Sequence, residues 1–177
     1  MDEDGAVRNP IWSYIFTSKR DEPTLIDLLA GLPIFEGISR KQLKTISRVL
    51  HERAYGEGEM VFSEKEPGAG LYIIKSGRVA VTKHIEGGDP MVLAEFVAGN
   101  FFGELALIDE IPRSATATVV EPGTLLAFPT PDLDRLVARQ PQVGVLILKN
   151  LARLVARRLL QANRNFESIQ DHNQVAK

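Results

Sequence analysis

The chain has 177 residues, 44% of them hydrophobic and 25% charged, with a formal net charge of -2, a composition that suits one ordinary globular core with room for an extra helical segment. The near-neutral balance gives no overall field for polyanions, and the lack of cysteine excludes disulfides, thiolate metal sites and cysteine nucleophiles. Behind the acidic start Met1-Asp2-Glu3-Asp4 no apolar run is long enough for a signal peptide or a membrane span, so a cytoplasmic protein without a membrane partner is expected.

In chain order, Pro10 to Ser18 begins with a helix-start proline and predicts a short helix, with Ile11, Tyr14 and Ile15 on one face and Trp12 and Phe16 on another. This aromatic segment is expected to dock on the domain's own barrel or on another protein that receives a signal. After the charged break Lys19 to Pro23, Thr24 to Ala30 predicts a second short helix, stopped by Gly31-Leu32-Pro33. Ser39 caps a third, which carries Leu43, Ile46 and Leu50 at helical spacing. Residues 1–31 are read as a helical segment ahead of a barrel domain at 32–140.

From Glu52 to Phe128 the period changes. Glu59 to Phe62, Gly70 to Ile74, Arg78 to Thr82, Met91 to Phe96, Ala115 to Val120 and Thr124 to Phe128 read as strands. They are broken by Gly56-Glu57-Gly58, Pro67 to Gly70, Ser76-Gly77, Gly87 to Pro90, Gly99-Asn100 and Pro122-Gly123. Strands at such short spacing predict an α+β chain built on an antiparallel jelly-roll barrel.

Beyond Pro131 and Pro141 the pattern turns helical, and no proline interrupts it from about Gln142 to Gln170. Residues 141–177 are therefore read as one long C-terminal helix. Leu148, Ala152, Val155, Leu159, Ala162, Phe166 and Ile169 form a heptad seam, and Leu151, Leu154 and Leu160 form a second stripe facing the chain's own sheet. The seam predicts a homodimer through a parallel two-stranded coiled coil.

The chemistry concentrates between Phe102 and Thr116. Gly103 permits close backbone approach, the turn that starts at Glu104 offers unpaired N–H groups to an anion, and Arg113 adds a planar, bidentate cation ten residues later. Glu104 fits beside an anion if it accepts from a sugar hydroxyl while Arg113 supplies the compensating charge. Phosphate plus sugar means a nucleotide.

This stretch resembles the phosphate-binding cassette of the cyclic nucleotide-binding domain family, shared by cAMP-dependent protein kinase regulatory subunits, the bacterial catabolite activator protein and cyclic-nucleotide-gated channels. That cassette runs Gly-Glu-Leu-Ala-Leu, a short loop, then Pro-Arg-(Ala/Ser/Thr)-Ala-Thr, and both ends are present at the usual spacing. The resemblance extends over roughly Leu32 to Leu160, through Gly58-Glu59, Leu71 to Val79 and Gly99 to Gly103. It implies a double-stranded β-helix fold with Gly103, Leu105 and Ala106 as backbone donors or points of close approach. It further assigns Glu104 to the ribose 2'-hydroxyl, Arg113 to the exocyclic phosphate oxygens, and Ser114 and Ala115 to further phosphate contacts. The base would rest on Val81, Leu93, Ala94 and Phe102. On the long helix, Ala162 and Asn163 stand where the catabolite activator protein has two adjacent hydroxyl residues, so Asn163 is the candidate base reader. Ser114 falls where kinase cAMP sites have alanine and cGMP-selective sites tend to have threonine. The implied ligand is cAMP or cGMP, with cAMP favoured, and no cofactor is required.

Rival readings differ in class. A cupin-type metal enzyme shares the barrel, but His51, His84 and His172 are scattered and lack ligand spacing, so a non-enzymatic sensor is expected. A dimeric interaction protein that keeps the fold without binding nucleotide is disfavoured by intact Glu104 and Arg113. Only Asp171 to Lys177 follow the helix, so direct sequence-specific DNA binding is not expected and an unidentified protein effector is.

Overall fold

The computed structural model describes residues 24–109 and 111–175, with side chains described as far as Arg164 apart from Ala162. The expected helix over Pro10 to Ser18, with Trp12, Tyr14 and Phe16, lies outside the described residues, as do the seam side chains of Ala162, Phe166 and Ile169.

Among the described residues eight strands form the barrel: β1 (His51–Tyr55), β2 (Met60–Phe62), β3 (Gly70–Ile74), β4 (Arg78–Lys83), β5 (Met91–Val97), β6 (Phe101–Phe102), β7 (Thr116–Glu121) and β8 (Gly123–Pro129). They make two antiparallel sheets, ordered β1-β8-β3-β6 and β2-β7-β4-β5. This is the expected jelly roll, in which each strand but one crosses to the other sheet to reach the next, the exception being the β4–β5 hairpin. In β7, Ala117 and Val119 are buried while Thr116 and Thr118 are half-buried, the period-2 pattern of a strand with one face inward. β3 is apolar at every position after Gly70 because both its faces are covered. Leu71 and Ile73 join the helical core, while Ile74 and Tyr72 face the barrel interior.

Among the described residues four α-helices flank the barrel: α1 (Leu25–Ala30), α2 (Arg40–Ile46), α3 (Thr130–Arg139) and α4 (Pro141–Val175). Thr24 with Asp27 and Ser39 with Gln42 form reciprocal capping boxes at α1 and α2. α1 stops as Leu32 becomes extended before Pro33. The third predicted helix is shorter than expected and does not reach Leu50. Ser47 Oγ donates to the Lys44 carbonyl at 3.0 Å, the chain tightens into a 3₁₀ turn over Ser47–Val49, and Leu50 is already extended.

The helices pack on the barrel through Leu29, Ile34, Phe35, Phe128, Ile147 and Leu151. α4 is fixed here by buried Asn150, whose Nδ2 donates to the carbonyls of Ile34 at 3.2 Å and Glu36 at 2.9 Å. Past this point the helix outruns the domain. Leu151 is buried and Leu154 touches the core, but Leu160 is 57% exposed, so the inward stripe expected from the sequence ends a turn and a half early. The seam positions Leu148 and Leu159 are 40% and 60% exposed. No helix among the described residues is long and apolar enough to cross a membrane.

Lys65 is the sole non-glycine residue described with a positive φ, at 70°, a conformation costing on the order of 1 kcal/mol or more. Lys65→Gly is expected to stabilise the fold by about 0.5 to 1 kcal/mol, a gain of about 1 to 4 °C in thermal denaturation. A lowered Tm would show that other Lys65 contacts outweigh the strain.

Candidate functional site

The site forms where the chain leaves β6, turns at Gly103 and returns to the sheet at β7. Gly103 is left-handed, φ 76°, and Gly70 takes φ 149°. A Cβ on Gly103 would lie 2.7 Å from Arg113 Nη1, and one on Gly70 would collide with the Phe128 carbonyl. These two glycines hold Arg113. Its Nη1 donates to the Gly103 carbonyl at 3.0 Å and its Nη2 to the Gly70 carbonyl at 2.7 Å. The guanidinium carbon sits 4.0 Å from the Phe62 ring centre and 5.8 Å from that of Tyr72, a cation–π arrangement.

The main chain of Arg113 is held as well. Lys65 N–H donates to its carbonyl, and its own N–H donates to the Glu66 carbonyl, both at 2.8 Å. Arg113 is only 7% exposed, and its Nε is buried without a partner. Burial pushes its pKa below the ordinary guanidinium value, against the opposing pull of Tyr72, Glu104 and Glu66.

Glu104 opens the 3₁₀ turn Glu104–Leu107 and is 3% exposed. The sequence reading made Arg113 its compensating charge. Instead its carboxylate pairs with Arg158, which reaches down from α4. The Ala106 N–H closes on the Gly103 carbonyl at 3.3 Å, so this backbone donor is engaged within the turn.

A cavity of about 160 Å³ opens between these groups. Gly103, Glu104, Leu105, Ala106, Arg113, Ser114 and Ala115 line one end, Phe62, Val81, Phe96, Phe102 and Ile111 supply apolar walls, and Arg158 enters from α4. Phe102 stacks on Tyr72 and Phe96 with ring centres 5.7 and 5.6 Å apart, so the floor is a rigid aromatic block.

Of the residues expected at the base, Val81 and Phe102 line the cavity, while Leu93, Ala94 and Asn163 do not. Val81 pairs with Ala94 and Thr82 with Val92, which leaves Leu93 as the extra residue of a bulge, half-exposed on the sheet edge. Phe96, two residues past Ala94, takes the wall position instead. Asn163 is exposed on α4. The sequence reading also missed Phe62, Ile111 and Arg158. Phe96 shares strand parity with half-buried Ala94, a signal that was available, whereas Phe62 shares parity with exposed Met60 across a register irregularity and nothing local distinguishes Arg158 from the other α4 arginines. Among the described residues no group of acidic and histidine side chains is arranged to hold a metal, and His51 pairs with Asp132 at 3.2 Å.

The fold and site together define a jelly-roll barrel domain with an internal cavity that presents a buried, incompletely partnered guanidinium at one end. The family model for the cyclic nucleotide-binding domain matches residues 52–140, and the chain belongs to that family. It is 36% identical over 135 residues to the cyclic AMP receptor protein of Thermus thermophilus, covering 76% of this chain and 61% of that protein. The crystal structure of the Thermus thermophilus catabolite activator protein superposes with a TM-score of 0.71 at 34% identity, over 78% of this chain and 63% of that one. The N-terminal domain of a transcriptional regulator from Streptomyces coelicolor superposes with a TM-score of 0.69 at 30% identity, over 78% and 96%. The chain spans about three fifths of the length of the first relatives it matches.

Proposed function

We propose that this chain is a regulatory sensor of a cyclic nucleotide, cAMP in preference to cGMP, and that ligand binding resets the position of α4. The observation that carries the reading is Arg113. It is a buried cation with no carboxylate in ion-pair contact among the described residues and an Nε with no partner. Burying an arginine this way is costly unless an anion completes it, and a cyclic phosphate beside aromatic walls fits the cavity's chemistry. Family membership supports the same ligand class, as do the names of relatives: the cyclic AMP receptor protein and, at 37% identity over 100 residues, a cAMP-dependent protein kinase regulatory subunit of Mycosarcoma maydis.

In this reading the phosphate takes the free Arg113 N–H groups and the Ser114–Ala115 segment, while the ribose 2'-hydroxyl donates to Glu104. Glu104 already holds Arg158, so a ligand hydroxyl at that carboxylate acts directly on α4 and biases its position. Two copies associate through the exposed seam of α4, and an unidentified protein partner reads the change.

Isothermal titration with cAMP and cGMP, with 5'-AMP as the acyclic control, tests the ligand. Saturable binding of a cyclic nucleotide and not of 5'-AMP is expected, and no binding of either cyclic form would move the chain to the interaction-protein reading. Sedimentation tests the assembly. The expected species is a dimer that Leu159→Lys converts to monomer, because a charge at a seam position faces its own copy. A monomer for the unsubstituted chain, with and without ligand, would remove the coiled coil from the proposal.

A further inference from the structure

The cassette is fastened to the barrel rim by a polar arrangement whose chemistry the ligand contacts do not use. Ser114 and Ala115 line the cavity, and Lys83, at the end of β4, donates to the Ser114 carbonyl at 2.7 Å. The same ammonium pairs with Glu64 Oε1 at 2.7 Å. Glu64 is itself fixed, since its Oε2 accepts from the His84 N–H at 3.1 Å and its own N–H donates to Thr116 Oγ1 at 3.0 Å. Its side chain is 14% exposed, and Lys83 and the His84 amide hold its carboxyl below the ordinary glutamate range. The segments after β2, at the end of β4 and before β7 are thus joined at one ammonium.

An exposed ion pair alone contributes little. This one differs because its cation has a second partner, the carbonyl of a peptide whose two flanking residues line the cavity. A planar trans peptide with its C=O fixed to Lys83 also has its N–H direction fixed. On the other side of the same segment, the Arg113 main chain is fixed by Lys65 and Glu66. The stretch from Arg113 to Ala115 is therefore gripped from both sides before any ligand arrives.

We infer that Lys83, braced by Glu64, is a positioning residue for the phosphate end of the cavity, holding the Ser114 peptide in the orientation that an anionic ligand requires. The inference rests on the cyclic nucleotide reading for its ligand, and the positioning itself is measurable without one. Fixing the donor peptide in advance removes an ordering cost from binding.

The test uses the full chain with Lys83→Met and Lys83→Arg. In the ligand-free protein, hydrogen exchange at the amides of Arg113 to Thr116 is expected to accelerate several-fold in Lys83→Met and to return towards normal in Lys83→Arg. With cAMP as the probe, Lys83→Met is expected to dissociate about 5- to 10-fold faster, the scale of one charge-assisted hydrogen bond acting indirectly, with association little changed. Unchanged exchange in Lys83→Met would overturn the inference whether or not the protein binds cAMP. Faster exchange with unaltered cAMP dissociation would overturn its ligand half. A loss confined to association, and erased by salt, would make Lys83 a steering charge instead. Absence of cAMP binding by the unsubstituted chain would refute the functional reading and the ligand half together, leaving exchange to decide the positioning.

Discussion

Arg113→Ala is expected to weaken cyclic nucleotide binding about 30- to 150-fold, equivalent to about 2 to 3 kcal/mol for charge-assisted bonds in a partly dry cavity. The geometry adds a second effect. The carbonyls of Gly70 and Gly103 lose their arginine donors, and the space beside Phe62 and Tyr72 empties, so the variant also loses about 1 to 3 kcal/mol of stability. Arg113→Lys separates the two. It retains a cation and most of the volume but cannot span both carbonyls or present a planar fork, so about tenfold weaker binding is expected with a smaller fall in Tm. Titration with cAMP and thermal denaturation of both variants check this. A folded Arg113→Ala protein that binds as well as the unsubstituted chain would end the assignment of the phosphate to this end of the cavity.

The parts of this site that lie within a dozen residues of one another were legible because their chemistry is local. A glycine, an acid and an arginine at fixed offsets between two strand patterns restrict what they can do together, and the structure brings Gly103, Glu104 and Arg113 around one cavity. β7 was legible for a similar reason, since Ala117 and Val119 alternate with threonines. β1, His-Glu-Arg-Ala-Tyr, was not singled out because four of its five residues are exposed and carry no apolar alternation. β6, two residues long, is too short to have a period. The wall positions failed for two reasons: Leu93 is the extra residue of a bulge, which leaves no mark in a run of apolar residues, and Ala94 shares its side of β5 with Phe96, which is the residue that lines the cavity. Arg158 failed for another. α4 carries arginines at 153, 157, 158 and 164, and which one meets Glu104 depends on where the helix crosses the cassette, a property of packing and not of spacing.

Asn150→Ala is expected to destabilise the chain by about 2 to 4 kcal/mol, because the carbonyls of Ile34 and Glu36 lose their side-chain donor in a buried setting. That corresponds to about 5 to 12 °C in Tm for a domain of this size. The position matters beyond its energy. Up to and just past Asn150, α4 is held by Val143, Ile147 and Leu151, each at most 1% exposed. Further along, Arg158 reaches the cassette and Leu159 and Leu160 are more than half exposed. The helix is thus anchored in its first half and answerable to the cavity in its second. If Asn150 serves only as the anchor, Asn150→Ala lowers Tm while cAMP affinity, measured well below the transition, changes less than about threefold, since the side chain lies outside the cavity. A loss of affinity as large as that of Arg113→Ala would instead show that the anchor moves when ligand binds, and the pivot of α4 would have to be placed nearer the barrel.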